Sequence, residues 1–152
     1  MTPIRISTGI LDEARRFFEG RGAEGLEGTA LIAGRHGAVA DRLVIPQQLG
    51  RRALGGSWVE VPLAGKLQIA AALGLDEIYV ARIHSHPGDA FHSPTDDSNP
   101  ALTHPGAISI VVPYYGLGLR RGLGACAVFV RRGSKWIDIP AGLLRDAVVR
   151  AT

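Results

Sequence analysis

The chain has 152 residues, of which 46% are hydrophobic and 20% are charged. This balance fits one globular domain over residues 1–152 and excludes a disordered or low-complexity chain. The net charge of +3 is too small to argue for nucleic acid as a partner, and no apolar run is long enough to span a membrane. A single cysteine, Cys126, excludes an internal disulfide. The amino terminus lacks the apolar core of a signal peptide, so we expect a cytoplasmic protein.

The first half of the chain predicts short strands around one helix. Residues 3–7 are typical of a strand, and residues 7–20 predict a helix that begins with Ser-Thr and ends at a glycine. The run "GLEGTALIAGR" predicts a buried strand, and "AVADRLVIP" predicts its neighbour. Residues 46–57, with glycine, glutamine and arginine, predict an exposed loop.

The second half alternates between helix and strand patterns. A brief strand, "WVEVP", precedes an alanine- and leucine-rich helix from Pro62 to Gly74. The β-rich run "EIYVARIH" ends at His84. Three further strands, "AISIVVP", "GACAVFVR" and "KWIDIP", come before a final helix that we expect to begin at Pro140. This order predicts a layered α/β domain with a mixed sheet.

The polar stretch "HSHPGDAFHSPTDD" places three of the five histidines within nine residues. Because alternate residues of a strand face the same side, His84 and His86 are expected to converge at the strand end. Imidazole nitrogen is a preferred zinc ligand, and Asp96 from the following loop can supply a third ligand. Three protein ligands leave one tetrahedral position for water, which is typical of a catalytic zinc site.

Two further residues complete the predicted chemistry. Glu27 precedes an apolar strand, where a charge needs a partner, and it is the best candidate for the general base. Ser93 can donate a hydrogen bond to the oxygen of an attacked carbonyl. Each signal alone has an ordinary explanation, since Asp96-Asp97 is typical of a turn or cap and Glu27 of an exposed strand start. Their conjunction favours a metal site.

These residues resemble the motif of the JAMM (JAB, or MPN-plus) metalloproteases. That motif is a glutamate, then His-[Ser/Thr]-His-Pro, then serine, two residues and aspartate. This chain has Glu27, then "HSHP" from His84, then "SPTD" from Ser93 to Asp96. The family usually places seven residues between the second histidine and the serine, and this chain has six. Asp96 keeps the serine spacing, whereas Asp97 would restore the histidine spacing, so Asp97 stays as the alternative ligand.

The resemblance implies a sandwich similar to the cytidine deaminases, with a central curved mixed sheet flanked by helices. It implies that His84, His86 and Asp96 bind one Zn²⁺ per chain, that Glu27 is the general acid and base, and that Ser93 stabilises the tetrahedral intermediate. It also implies a deubiquitinase-like isopeptidase of the stand-alone bacterial branch. The expected substrate is a ubiquitin-like protein or its conjugate, cut after the C-terminal tail.

The same resemblance suggests activating or conjugating enzymes of one operon as further partners, in an antiviral defence system. A peptidase that trims a sulfur-carrier protein is the alternative within the family. A catalytically silent scaffold is the alternative from another class, and the presence of all the motif residues argues against it. Neither nucleic acid nor membrane is expected as a partner.

Overall fold

The computed structural model describes residues 3–54, 56–91, 102 and 104–151. Within them, one mixed sheet, here called the central sheet, organises the molecule. Its strands in spatial order are Lys135–Asp138 (β10), Ala127–Arg132 (β9), Ile108–Val112 (β8), Glu77–Ser85 (β7), Thr29–Arg35 (β2) and Arg42–Val44 (β4). β7 and β8 are parallel, and the other neighbours are antiparallel. The predicted mixed sheet is confirmed.

A second, smaller sheet joins distant parts of the chain. Ile4–Ser7 (β1) lies between Val39–Ala40 (β3) and Val148–Ala151 (β11), and both pairings are parallel. The run "AVADRLVIP" therefore does not form one strand as predicted. It divides at Asp41, so that β3 joins the smaller sheet and β4 joins the central sheet.

Residues 46–57 were predicted as a loop, and this prediction is wrong for most of them. Leu49–Ala53 (β5) and Gly56–Glu60 (β6) form an antiparallel hairpin, here called the hairpin. Trp58 Nε1 donates to Glu60 Oε1 at 3.1 Å, and Arg51 Nε lies 3.4 Å from Glu60 Oε2. Contacts between neighbouring side chains stabilise the pair although much of its surface is exposed.

The helices differ in how much they bury. Helix Thr8–Gly22 (α1) packs on the central sheet through an apolar stripe of Ile10, Leu11, Ala14 and Phe18. Helix Leu63–Ala72 (α2) is largely exposed, with Gly65 as its buried residue. Within the described part of the chain, no helix combines the length and hydropathy that crossing a bilayer requires.

The prediction of a final helix from Pro140 is also wrong for the second half of that segment. One 3₁₀ turn, Ala141–Leu143, leads into the short helix Leu144–Ala147 (α3), and the chain then extends as β11. Val148 pairs with Ile4 of β1. The β-branched pair Val148-Val149 favours this extended backbone, and the strand partner lies at the other end of the sequence.

Candidate metal centre

Two histidines lie together where β7 leaves the central sheet. His84 is near the end of β7 and His86 follows the strand. Their side chains face the same side, and their Nε2 atoms are 3.2 Å apart. Both residues are more than nine-tenths buried, at 8% and 6% exposure. A buried polar pair of this kind needs a partner for its nitrogen atoms.

The separation of the two nitrogens fits a shared metal ion. Zinc binds histidine nitrogen at about 2.0–2.1 Å in tetrahedral geometry, so two such nitrogens lie about 3.3 Å apart. The same separation also allows one ring to donate a hydrogen bond to the other in the metal-free protein. Within residues 3–54, 56–91, 102 and 104–151, no group of three or more His, Cys, Asp or Glu side chains is arranged to hold a metal ion. These residues supply two of the three predicted ligands.

Glu27 lies beside this pair. β2 and β7 pair with Thr29 opposite His84, and one residue further on the Ser85 N–H donates to the Gly28 carbonyl at 3.0 Å. Continuing the antiparallel register places Glu27 opposite His86, on the same face of the sheet. Glu27 is 6% exposed, although it is a charged residue just before a strand.

Hydrogen bonds hold Glu27 at both its backbone and its side chain. Arg21 Nε donates to the Glu27 carbonyl oxygen at 2.7 Å, and the Ser57 hydroxyl donates to Glu27 Oε2 at 2.6 Å. Burial lowers the pKa of the Arg21 guanidinium from its ordinary value, and Glu24 opposes that shift. A residue of α1 therefore holds the backbone of Glu27, and a residue of the hairpin holds its carboxylate.

Ser85, between the two histidines, has a structural role that the sequence analysis missed. Its side chain faces the opposite side of the strand, is fully buried, and accepts a hydrogen bond from the Gly28 N–H at 2.9 Å. Through its backbone and its hydroxyl, Ser85 thus joins β7 to the segment that contains Glu27. A polar residue at an inward position of a buried strand was the available signal.

The residues after His86 are held by a strained turn, which the sequence analysis also missed. Tyr114 and Tyr115 begin a 3₁₀ segment, Tyr114–Arg121, and both have left-handed backbone, with φ of 56° and 53°. Such a conformation costs on the order of 1–3 kcal/mol per residue. The Tyr115 N–H donates to the His86 carbonyl at 2.8 Å, and the Tyr114 N–H donates to the Gly88 carbonyl at 3.0 Å.

The side chains of this turn extend the same links. The Tyr114 hydroxyl donates to Asp89 Oδ1 at 2.8 Å, which raises the pKa of Tyr114. The Tyr115 hydroxyl donates to the Gly25 carbonyl at 3.3 Å. The turn therefore contacts both residues 86–89 and the segment before Glu27.

Phe91 forms part of the rim of the site. Its ring packs edge-on against His86, with 4.6 Å between the centroids, and the side chain is 58% exposed. Ser93, Asp96 and the alternative ligand Asp97 lie outside the described residues. The structure thus places His84 and His86 together and Glu27 opposite His86, and the roles of Glu27, Ser93, His84, His86 and Asp96 stay predictions.

Comparisons with known proteins agree with this architecture. No protein-family model matches the chain. A probable metalloprotease, y4jG of Sinorhizobium fredii, is 34% identical over 130 residues, which cover 81% of this chain and 78% of the relative. The structure of a JAB1/MPN domain protein from Archaeoglobus fulgidus is similar with a TM-score of 0.53 at 20% identity, covering 98% of this chain and all of that one.

A second solved structure, a protein from Desulfitobacterium hafniense, has a TM-score of 0.59 at 14% identity and covers 97% of this chain and 92% of that one. At these low identities the two solved structures establish the fold, while the Sinorhizobium relative establishes the family membership of the chain. The chain belongs to the JAMM/MPN family. The predicted JAB/MPN-type fold is confirmed.

Proposed function

We propose that the chain is a zinc-dependent peptidase or isopeptidase of the JAMM type, and that it cuts a ubiquitin-like protein after its C-terminal tail. The observation that carries the proposal is the buried pair His84 and His86, with Nε2 atoms 3.2 Å apart, beside the buried Glu27. In the proposal these histidines and Asp96 bind one zinc ion per chain. The similarity to a probable metalloprotease supports a metal-dependent hydrolase.

The proposed chemistry divides among the chain's own residues. When bound, zinc supplies Lewis-acid chemistry that polarises a carbonyl and makes water a nucleophile near neutral pH. Glu27 accepts the proton of the attacking water and transfers it to the leaving amine. Ser93 donates a hydrogen bond to the carbonyl oxygen as negative charge develops on it. The burial of Glu27 and the histidines keeps competing solvent away from these groups.

The hairpin supports an extended peptide tail as the substrate. In the described part of the chain, β5 and β6 pair with each other alone, so their outer edges are open to a further strand. Trp58 is 43% exposed on the face away from Ser57, and Phe91, 58% exposed, packs against His86. We propose that the tail of a ubiquitin-like protein pairs with this edge and places its last glycine at the histidines.

The cellular setting is part of the same proposal. A cytoplasmic enzyme of this kind acts beside the activating and conjugating enzymes that attach its substrate, in a bacterial conjugation or antiviral defence system. This setting rests on the family resemblance and on the hydrolysis proposed above.

The test of function is Glu27→Gln, assayed on ubiquitin-like domains that end in Gly-Gly and are fused to a fluorescent protein. The amide cannot accept a proton, so hydrolysis should fall by about 100-fold or more while the metal content is unchanged. A matched control is Glu13→Gln, because Glu13 is exposed on α1. Full activity in Glu27→Gln would remove Glu27 from the mechanism, and an inactive wild type that holds no metal would favour a scaffold.

A pair of substitutions tests the third ligand. Asp96→Ala should reduce the metal content strongly, whereas Asp97→Ala should leave it near the wild-type value. Elemental analysis of both proteins measures this directly. The reverse result would assign the ligand to Asp97 and would mean that the serine spacing of the motif differs in this chain.

A further inference from the structure

The backbone of Glu27 is fixed independently of its side chain. Arg21 Nε holds the Glu27 carbonyl at 2.7 Å, and Ser85 exchanges two hydrogen bonds with Gly28, the next residue. These contacts set where the side chain begins. They leave the direction of the carboxylate to be set by other groups, and that direction matters to a residue that must meet the proton of one water molecule.

Ser57 is one such group, and it comes from the hairpin. Its hydroxyl donates to Glu27 Oε2 at 2.6 Å, which is the short distance of a hydrogen bond to a charged oxygen. A serine hydroxyl has one proton to donate, and donating it to one carboxylate oxygen restrains rotation of the whole group. The separation of 30 residues along the chain shows that folding, and not local backbone geometry, brings the two residues together.

The hairpin is itself attached to the Glu27 segment. The Gln48 side chain accepts from the Thr29 N–H at 2.8 Å and donates to the Thr29 carbonyl at 2.9 Å. A side chain at Gly50 has no room, because a Cβ atom there would lie 2.9 Å from Leu26 and 2.8 Å from the Arg21 guanidinium. Close packing and two hydrogen bonds therefore fix the position from which Ser57 reaches the carboxylate.

We propose that Ser57 is a positioning residue for Glu27, and that it makes the hairpin a working part of the catalytic centre. The hydrogen bond holds the carboxylate in the orientation from which it accepts the proton of water. The inference rests on the proposed function, in which Glu27 is the general base. Ser57 acts through Glu27, and the role requires no contact of its hydroxyl with the metal ion or the scissile bond.

The kinetic test compares Ser57→Ala with the wild type on the Gly-Gly fusion used for Glu27→Gln. We expect kcat to fall by roughly 10- to 100-fold, with KM changed less than about twofold and the metal content unchanged. Ser57→Thr, which keeps the hydroxyl and suits a strand, should restore most of kcat. Ser134→Ala, at an exposed serine in the turn between β9 and β10, is the matched control and should retain wild-type rates.

A thermal-unfolding cycle tests the hydrogen bond without any substrate. Ser57→Ala should lower Tm by roughly 5 °C, because a buried carboxylate loses a donor. The double variant of Ser57→Ala and Glu27→Ala should be no less stable than Glu27→Ala alone, since the partner is already absent. Proteins matched in metal content give this comparison.

The possible results distinguish a failure of this inference from a failure of the proposed function on which it rests. If the wild type is active, any one of three results would overturn the inference alone. These are a wild-type kcat in Ser57→Ala, a kcat that Ser57→Thr does not restore, and Tm losses that are additive in the double variant. A wild type that cleaves none of the fusions would overturn the proposed function and the positioning role with it. In that case the Tm cycle would show whether the bond serves stability only.

Discussion

The two faces of the central sheet are supplied by the same strands and carry different side chains. One face, covered by α1, presents aliphatic residues such as Ile32, Ile83 and Ile110, each 0% exposed. The opposite face has a smaller apolar cluster and also buries Arg82, His84 and Ser109. A β-bulge between Ile32 and Ala33 of β2 shifts the register in which β2 pairs with β7.

This difference separates stability from chemistry. Burying aliphatic surface on the α1 face contributes free energy of folding without any polar partner. The opposite face buries charged and polar groups, which are costly unless each one is bonded. Arg82 Nε donates to Ser109 Oγ at 3.0 Å, and the Arg82 guanidinium lies 4.7 Å from the centre of the Trp136 ring. The candidate metal centre lies at the end of this polar face.

The largest effect on stability is expected on the aliphatic face. Ile83→Ala removes a fully buried side chain next to His84 in sequence and should cost about 2–5 kcal/mol of unfolding free energy. The metal content of the folded variant should be unchanged, because Ile83 faces away from the histidines. Thermal unfolding and elemental analysis measure the two quantities.

The control for that prediction is Ile137→Ala, since Ile137 is 42% exposed. It should cost less than half as much free energy. Loss of metal from folded Ile83→Ala would mean that the two faces are not independent.

A smaller effect is expected on the polar face. Arg82→Met should cost roughly 1–3 kcal/mol, because it removes a hydrogen bond to Ser109 and the stacking on Trp136. Arg131→Met is the matched control, since its guanidinium lies 5.4 Å from the same ring but its side chain is less buried. Urea unfolding of both variants checks the order. Equal losses would show that burial of Arg82 contributes nothing beyond the ring contact.

The smallest effect is expected at the edge of the sheet, where Arg42 ties α2 to β7. Arg42 Nη2 donates to Glu77 Oε1 at 2.6 Å and also to the Ala72 carbonyl. The hydrogen bond from Arg42 lowers the pKa of Glu77 from its ordinary value. A lowered pKa in the folded state means that the stabilisation is present above the unfolded pKa and is lost as pH falls through the folded pKa.

As the pH falls from 6 to below about 4, where a glutamate ordinarily becomes protonated, the Tm of Glu77→Gln should therefore fall less than the Tm of the wild type. Thermal unfolding across that range measures the difference, with Glu13→Gln as the control. An acid response identical to the wild type would assign the Arg42 contact no role in stability.

The sequence predicted the elements whose own side chains determine them. β2, β7 and α1 each have an apolar pattern that matches a buried face, and the spacing of His84 and His86 on a strand predicted a shared side. The predicted strand "WVEVP" overlaps the end of β6, whereas β5 was missed because it is exposed and has no apolar alternation. β11 was missed because its partner, β1, is distant in sequence, so helix propensity in "AGLLRDAVVRA" was a poor guide.

Contacts across the site were equally inaccessible to sequence analysis. Nothing in the pattern around Ser57 indicates a bond to Glu27, since the two residues meet only after the hairpin packs. Glu27 was identified because a charge before a buried strand requires a partner, and the motif agreed with that choice. The partner became visible only in the folded chain.

Metal content is the direct measure of whether His84 and His86 bind a metal ion. Elemental analysis should compare the wild type, His84→Ala and His36→Ala, each purified without exposure to a chelator. His36 lies exposed in the turn after β2 and is the matched control. We expect about one zinc ion per chain in the wild type and in His36→Ala, and almost none in His84→Ala. A folded wild type without zinc, or zinc retained in His84→Ala, would contradict this expectation.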